Sequence, residues 1–558
     1  LFRCSRIDNS LSRISRVDVT EKERNMYKKM IGFAVVFLFA TAGNTYAYDV
    51  PMVTYKDVAD QAWEKDYVYT LSALGIIEGY PDSRYHSEEA LSREAFIKLL
   101  VATAKLDISH TSGIVPTDAT GRWSAPYIAA ASERHWIDFM VNEAGELKPE
   151  QPITREEVAA VVGKYLLDKV GTAGSQWTSG DWSKERDERA FADSSKINDN
   201  LAPYVFYTVN RTVMEGDNQG FRPKSGLIRS EAAAVINRLV DIEAAEKELE
   251  VTGFYAIKSS PAIVRMPLVD NVVMGWSHLE YDTEGTAKLG TDTTVFKVPD
   301  GYSDVVKSAD QAHVHKELMV FYNDGKKLSA FLRDVPAQMA FIDQLVTKLG
   351  DPAFGFSGVS LDFEGLMDAS DAPNYLQFVR DVNAAIGSKT LSVSVPTDYY
   401  YKGYDLKGLS ETADTLNLMA YDFTHDDSNL PSAPLPLVRD GVERALRQGV
   451  PASKLVLGIS KQANQWITTN GKTTTAGPSI DLVEKRLADP NASKTWSLPY
   501  FLKLIHYQDG STANEIYYED TQSIAKKIWL AKVYNLKGIS LWHMGNFTAS
   551  DWDTIAKR

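Results

Sequence analysis

From Val251 to the C-terminus, short β-rich runs alternate with helical patterns, and this alternation leaves few folds open. The β-rich runs are Thr252–Ala256, Val272–Trp276, Glu317–Phe321, Gly358–Phe363, Thr390–Val395, Thr415–Ala420, Leu455–Ile459 and Gly538–Trp542. Helical periodicity follows several of them, at Ser329–Leu349, Ala372–Ile386, Leu437–Gln448 and Ser523–Tyr534. Parallel strands need a crossover, usually helical, and eight such units in about 300 residues predict a closed α/β (β/α)8 barrel over 251–558. Asn470–Asp520 is too long for a plain loop, so a small insert between strands seven and eight is expected there, building one wall of a cleft.

One run carries chemistry. In Phe356-Ser357-Gly358-Val359-Ser360-Leu361-Asp362-Phe363-Glu364, side chains alternate across the strand, so Ser360, Asp362 and Glu364 share the face opposite Leu361 and Phe363. In a parallel barrel that polar face looks inward, and catalytic groups gather at the strands' C-terminal ends. A carboxyl beside a second carboxylate is held protonated more easily, which suits general acid work on a glycosidic bond. On the residues alone, a structural ion pair with a barrel Lys or Arg remains an alternative for Asp362 and Glu364, and core packing for Tyr421 and Trp542.

The first half of the chain repeats itself. Asp57, Asp118 and Asp193 are followed by Arg93, Arg155 and Arg229 at offsets of 36, 37 and 36 residues. A second apolar helix follows each arginine, at Ala95–Ala104, Val158–Leu167 and Ala232–Leu239, so each arginine sits at a helix start, where backbone N–H groups favour an anion. The units are expected at 50–110, 111–170 and 188–242. Gly171–Asp187, rich in Gly, Ser and Asp, reads as an exposed loop insertion between units two and three. Ile242–Glu250 reads as a charged helical bridge to the barrel.

Residues 26–47 read as a secretion signal: basic Met26-Tyr27-Lys28-Lys29, an apolar run from Ile31 to Ala42, and a small-residue cleavage site at Thr45-Tyr46-Ala47. The chain begins with Leu1, and Lys22-Glu23 can be encoded by a ribosome-binding sequence ahead of Met26, so residues 1–25 read as an over-extended gene call. The single cysteine, Cys4, lies in that stretch; a protein starting at Tyr48 would have no thiol chemistry and no membrane anchor. It would carry 52 basic and 70 acidic residues, a net charge of −18, which disfavours nucleic acid and anionic surfaces as partners.

Two families are resembled. Leu91-Ser92-Arg93-Glu94, Ile153-Thr154-Arg155-Glu156-Glu157 and Leu227-Ile228-Arg229-Ser230-Glu231, with the turns Gly79-Tyr80-Pro81-Asp82 and Gly216-Asp217, resemble S-layer homology repeats. The resemblance implies an all-α, pseudo-threefold module that holds an anionic secondary cell-wall polymer through Arg93, Arg155, Arg229, Gly79 and Gly216. Unit two departs by having no turn glycine (Ile137-Asp138-Phe139-Met140), unit one by Ala95 in place of the signature glutamate, and unit three by Ile228 in place of threonine.

The barrel resembles glycoside hydrolase family 18, in its bacterial wall- and spore-associated branch. The matching pieces are Gly358–Glu364, Leu418-Met419-Ala420-Tyr421-Asp422 and Gly538-Ile539-Ser540-Leu541-Trp542, the last preceded by Tyr518-Glu519-Asp520-Thr521-Gln522-Ser523-Ile524. The resemblance implies a retaining, substrate-assisted glycosidase acting next to N-acetylglucosamine, needing no metal or cofactor. Glu364 is then the general acid, Asp362 orients the substrate's acetamido group, and Tyr421 hydrogen-bonds it. Asp422 supports that subsite and Trp542 floors it, with Tyr255, Trp276, Tyr399 and Trp466 as further sugar-stacking candidates. The family's aspartates are replaced by Ser357 and Ser360, which implies an altered pH profile. The function expected is a wall-anchored glycosidase on the surface of a Gram-positive-type bacterium, acting on peptidoglycan or on chitin and chitooligosaccharides. The competing reading is a non-catalytic carbohydrate-binding wall or surface-layer protein with a degenerate barrel.

Overall fold

The computed structural model describes Tyr48 and residues 50–282, 284–292, 295–397, 399–424 and 430–558. The expected signal segment and the stretch before it lie outside the described residues. Among the described residues no helix is long and apolar enough to cross a membrane.

Each N-terminal unit is a helix pair: Lys65–Ala73 with Arg93–Thr103, Ala125–Glu133 with Arg155–Val170, and Ala202–Asn210 with Arg229–Ala245. The repeat aspartates act as turn clamps. Asp57 accepts from the N–H groups of Tyr85 and His86, Asp118 from Leu147 and Lys148, and Asp193 from Phe221 and Arg222. At the centre the units close on one another: Leu91 N–H donates to Leu227 C=O (2.9 Å), Leu227 N–H to Ile153 C=O (3.0 Å), and Ile153 N–H to Leu91 C=O (2.9 Å). Ser92 and Thr154 cap their helices, Thr154 in a reciprocal box with Glu157. Ile228 offers no cap oxygen, and Glu231 alone accepts its N–H, at 3.2 Å.

The glycine pattern has a packing cause. A Cβ on Gly79 would come within 2.4 Å of the Tyr55 ring, and one on Gly216 within 2.5 Å of the Phe191 ring. Unit two has Pro116 where these rings stand, two residues before its aspartate, and there the turn does without glycine. The expected loop Gly171–Asp187 is instead helical, through Thr172–Gln176, Trp177–Asp181 and Trp182–Glu188. Its tryptophans decide this: Trp177 packs edge-on against Tyr207 and donates to Pro203 C=O, and Trp182 stacks on Phe206.

The barrel strands are β1 (Glu250–Tyr255), β2 (Asn271–Tyr281), β4 (His315–Tyr322), β5 (Gly358–Phe363), β6 (Thr390–Pro396), β7 (Thr415–Met419), β8 (Leu455–Ser460) and β14 (Gly538–Trp542). They pair in parallel in the order β1-β14-β8-β7-β6-β5-β4-β2, and β1 pairing with β2 closes the barrel. The strand β3 (Ala287–Gly290) adds an antiparallel flange to β2. The helical run expected over Ser329–Leu349 divides into Gly325–Phe331 and Val335–Leu349, where Asp334 caps the second helix and Pro336 occupies its first turn. The insert begins earlier than expected. Strands β9 (Ala463–Thr469), β10 (Lys472–Ala476), β11 (Ser493–Ser497), β12 (Leu502–Asp509) and β13 (Thr512–Tyr518) form an antiparallel sheet, with the helix Ile480–Ala488 set on its core at Val483. Lys527, fully buried, pairs with Glu519 (2.6 Å) at the exit from the insert.

The repeats lean on the barrel's outer helices. Trp529 Nε1 donates to Asp241 (2.8 Å) and Lys526 Nζ to Thr70 Oγ1 (3.2 Å), both from the helix Thr521–Val533. The helix Arg229–Ala245 therefore serves as the bridge to β1, taking up the first part of the charged segment expected from Ile242.

Candidate active site

β5 delivers Asp362 into the barrel, and Glu364 follows at its C-terminal end, its N–H held by Tyr322 C=O at 2.7 Å. Asp362 is buried; burial pushes its carboxyl well above the usual carboxylate range, against the pull of a hydrogen bond with Ser394. Glu364 is half-buried. Burial, then the charges of Asp362 and Asp422, hold its carboxyl well above the usual carboxylate range.

Tyr421 and Asp422 follow β7. Gly458 on β8 makes room for the tyrosine, since a Cβ there would lie 3.0 Å from its ring. Burial, then the surrounding carboxyls, keep the Tyr421 hydroxyl protonated. Asp422 has the left-handed φ of 58°, a conformation that Asp tolerates better than most residues. Its N–H donates to Ser432 Oγ (3.0 Å), and its carboxyl, raised by burial, takes hydrogen bonds from Gln462 and Ser432. Trp542 ends β14 and meets Phe254 edge-on, at 5.5 Å between ring centroids.

These groups enclose a cavity of about 210 Å³. Asp362, Glu364, Tyr421, Asp422, Ser394 and Asn417 form its polar side, and Phe254, Phe296, Phe321 and Trp542 its aromatic side. Asp422 also borders a larger groove of about 720 Å³, walled by Gly477–Asp481 of the insert and by Lys258 and His543 of the barrel. The insert therefore does line a cleft. Among the described residues no group of three His, Cys, Asp or Glu side chains could hold a metal ion.

The five lead residues, Glu364, Asp362, Tyr421, Asp422 and Trp542, come together in this cavity; the four weaker stacking candidates do not line it. Trp276 is fully buried between Tyr302 and Phe354, because its side chain points to the helix layer, so no sugar face reaches it. Tyr255 is buried too, its neighbour Phe254 taking the inward position. Tyr399 donates to Asp440 and lies under Arg444, 4.4 Å from its ring centroid, which ties it to the helix Leu435–Arg447. Trp466 belongs to the insert, edge-on to Tyr517.

Phe254, Phe296, Phe321, Ser394, Asn417 and Gln462 were not anticipated at the site. Alternation carried a signal for some of them: Phe321 pairs with Asp362 in register, and Ser392 and Ser394 are the inward positions of β6. Phe296 lies outside any strand, and no local pattern marks it.

Arg93 and Arg155 are buried and Arg229 is half-buried, and each reaches the next unit. Arg93 donates to Leu147 C=O (2.6 Å) and pairs with Glu157, Arg155 donates to Phe221 and Glu215 carbonyls (2.8 and 2.7 Å), and Arg229 to those of Tyr85 and Glu78 (2.9 and 3.0 Å). Much of their donor capacity is spent on these contacts between units, one to two, two to three and three to one.

A model of the glycosyl hydrolases family 18 matches residues 250–546, and that of the S-layer homology domain matches 54–97 and 117–159. The chain is 27% identical over 217 residues to the cortical fragment-lytic enzyme of Bacillus subtilis (strain 168), covering 36% of this chain and 49% of that one. It is 26% identical over 243 residues to a class V chitinase of Arabidopsis thaliana, covering 38% and 62%. The chain thus spans about half the length of the first of these relatives. A crystal structure of the Bacillus cereus spore cortex-lytic enzyme SleL overlays with a TM-score of 0.47 at 19% identity, covering 56% of this chain and 74% of that one. With more than half of its residues matched by the family model, the chain belongs to the glycosyl hydrolases family 18, and it carries S-layer homology repeats ahead of the barrel.

Proposed function

We propose that this protein is a secreted, wall-anchored glycosidase that cleaves β-1,4 bonds next to N-acetylglucosamine, in peptidoglycan first and in chitin or chitooligosaccharides second. The observation that supports it most is the pair of Glu364 and Asp362 at the barrel mouth, one kept protonated beside the other, facing an aromatic wall. Glu364 gives its proton to the glycosidic oxygen as the bond to C1 breaks. The sugar's own acetamido oxygen bonds to C1 from the opposite face, with Asp362 holding the acetamido N–H and Tyr421 its oxygen. Water then attacks C1, gives its proton to the Glu364 carboxylate and displaces the acetamido oxygen, so the configuration is retained. Relatives named for cortex fragments and for chitin lend support to both glycan classes.

The repeats would hold the enzyme against an anionic secondary wall polymer, which is why peptidoglycan stands first. The test is a digest of peptidoglycan and of chitin oligomers by the protein, with mass spectrometry of new reducing ends and Glu364→Gln as control. N-acetylglucosamine ends that vanish in the control support the enzyme and name its substrate. Binding by both proteins with cleavage by neither would instead favour a non-catalytic carbohydrate-binding wall protein.

A further inference from the structure

The groove of about 720 Å³ runs beside the catalytic cavity, and Asp422 borders both. On its barrel wall two groups stand with donors unused. Lys258, in the segment after β1, is exposed, and among the described residues its ammonium meets no carboxylate and no hydrogen-bond acceptor. His543 directly follows β14, and one hydrogen bond fixes its tautomer. Ser259 Oγ accepts the N–H groups of Ala256 (3.1 Å) and Gly545 (3.3 Å), so its own proton goes to His543 Nδ1, at 3.0 Å. The ring proton is then on Nε2, which has no partner among the described residues. Burial, then the charge of Lys258, lower the pKa of the ring, which favours the neutral form with that single N–H. The groove's other lysine, Lys461, is buried against Asp551 and brings no net charge. Asp481, on the insert wall, sits in the first turn of the helix Ile480–Ala488, where the helix dipole offsets part of its charge.

An ammonium and a neighbouring N–H, both without an acceptor, match an oxyanion. A neutral glycan such as chitin offers the ammonium no counter-charge. A carboxylate does, and its second oxygen takes the imidazole N–H. We propose that Lys258 and His543 form a subsite for a carboxylate on the sugar next to the one held in the catalytic cavity, so that the enzyme selects an acidic wall glycan over chitin. This rests on the glycosidase reading above and names its substrate class. In peptidoglycan the carboxylate belongs to the lactyl ether of the muramic unit or, where that group is amidated, to the attached peptide stem.

The test measures kcat/KM of the full chain on four ligands. These are the tetrasaccharide of alternating N-acetylglucosamine and N-acetylmuramic acid, its methyl ester, the same tetrasaccharide with peptide stems, and the tetramer of N-acetylglucosamine. Lys258→Met, an exposed change, is expected to lower kcat/KM on a carboxylate ligand about ten- to hundredfold, and on the methyl ester and the N-acetylglucosamine tetramer less than about threefold. His543→Leu should show the same selective loss, and His543→Gln, which keeps an N–H near the place of Nε2, should restore much of it. Selective loss on the free acid assigns the lactyl carboxylate, and loss on the stemmed glycan alone assigns the stem. Equal loss on all four, or no preference of the wild type for either acidic ligand over the ester, overturns the proposal and leaves the glycosidase reading standing. Binding of the four ligands to the Glu364→Gln protein is measured alongside by calorimetry. Absent hydrolysis with a Lys258-dependent preference in binding would sink the glycosidase reading and keep the subsite, and absent hydrolysis without that preference would sink both.

Discussion

Replacing Glu317 by glutamine should make the barrel more stable in alkali and not in acid. Glu317 is buried in the barrel, accepting from Ser392 Oγ at 2.6 Å and Thr390 Oγ1 at 3.0 Å, while His315 Nε2 meets the same threonine at 2.7 Å. Burial is the main cause that pushes its pKa from 4.5 to about 7. Below 4.5 the folded and unfolded chains both hold this proton. As pH rises from there, the unfolded chain releases it and the folded chain keeps it, so each pH unit removes about 1.4 kcal/mol of stability. The loss is complete above about 7, and its ceiling is roughly 3 kcal/mol. Glutamine stays neutral throughout and escapes the penalty. Asp362 and Glu364 are also raised by burial and lose stability in the same direction, but they are common to both proteins and cancel in the comparison. Thermal unfolding of the full chain, followed by calorimetry at pH 4 and pH 8, is the assay. The gap between variant and wild type should move in the variant's favour by about 6 °C from acid to alkali, at roughly 2 °C per kcal/mol for a domain of this size. A gap that does not change with pH would refute the reasoning, because it would mean that folding leaves the carboxyl's proton affinity unaltered.

Glu364→Gln should lower kcat on any cleaved glycan by at least about a hundredfold while oligosaccharide binding, measured by calorimetry, persists. The kcat/KM profile should fall on its alkaline side as Glu364 loses its proton. Asp422→Asn removes one of the like charges that hold this proton and should shift that limb to lower pH. Ser360→Asp places a third carboxyl on the same strand face and should shift it upward, and an unchanged pH–rate curve would count against such coupling. Arg155→Ala removes two hydrogen bonds from a buried guanidinium and should cost the repeat module about 3 kcal/mol, seen as early unfolding of its helices. Lost wall pelleting at unchanged stability would instead make Arg155 a ligand contact.

Much of this architecture was legible because it is periodic. Every barrel strand was anticipated, seven of them to within two residues at each end and β2 with its last five residues missed, since inward and outward positions alternate and a helix must follow a parallel strand. The repeat aspartates and arginines stood out through spacing alone. What stayed hidden depends on contacts between distant segments. Ala463–Thr469 continues directly from β8, and only its pairing with β13, some 50 residues away, makes it part of the insert. Gly171–Asp187 has a loop's composition, and two tryptophans seated on Tyr207 and Phe206 override it. Trp276 looked available for sugar because a ring's type says nothing about which face of the sheet it occupies. The polar half of the active site was readable from motifs, whereas Phe296 enters from a segment without regular structure and Asn417 declares itself only through hydrogen bonds it does not make.

The three backbone hydrogen bonds at the centre of the repeats make a closed count. Each unit gives one N–H and receives one at its single carbonyl, from Leu91, Ile153 and Leu227 in turn, so the circuit has neither a first nor a last member. A chain cut between two units and rejoined elsewhere would still complete it. A duplicated fourth unit would find no free donor or acceptor at the axis, and a deleted one would leave a donor and an acceptor facing empty space. Linear repeat proteins grow by adding modules at their ends; this one is fixed at three by arithmetic at its centre, and evolution can vary the order and the decoration of its units but not their number.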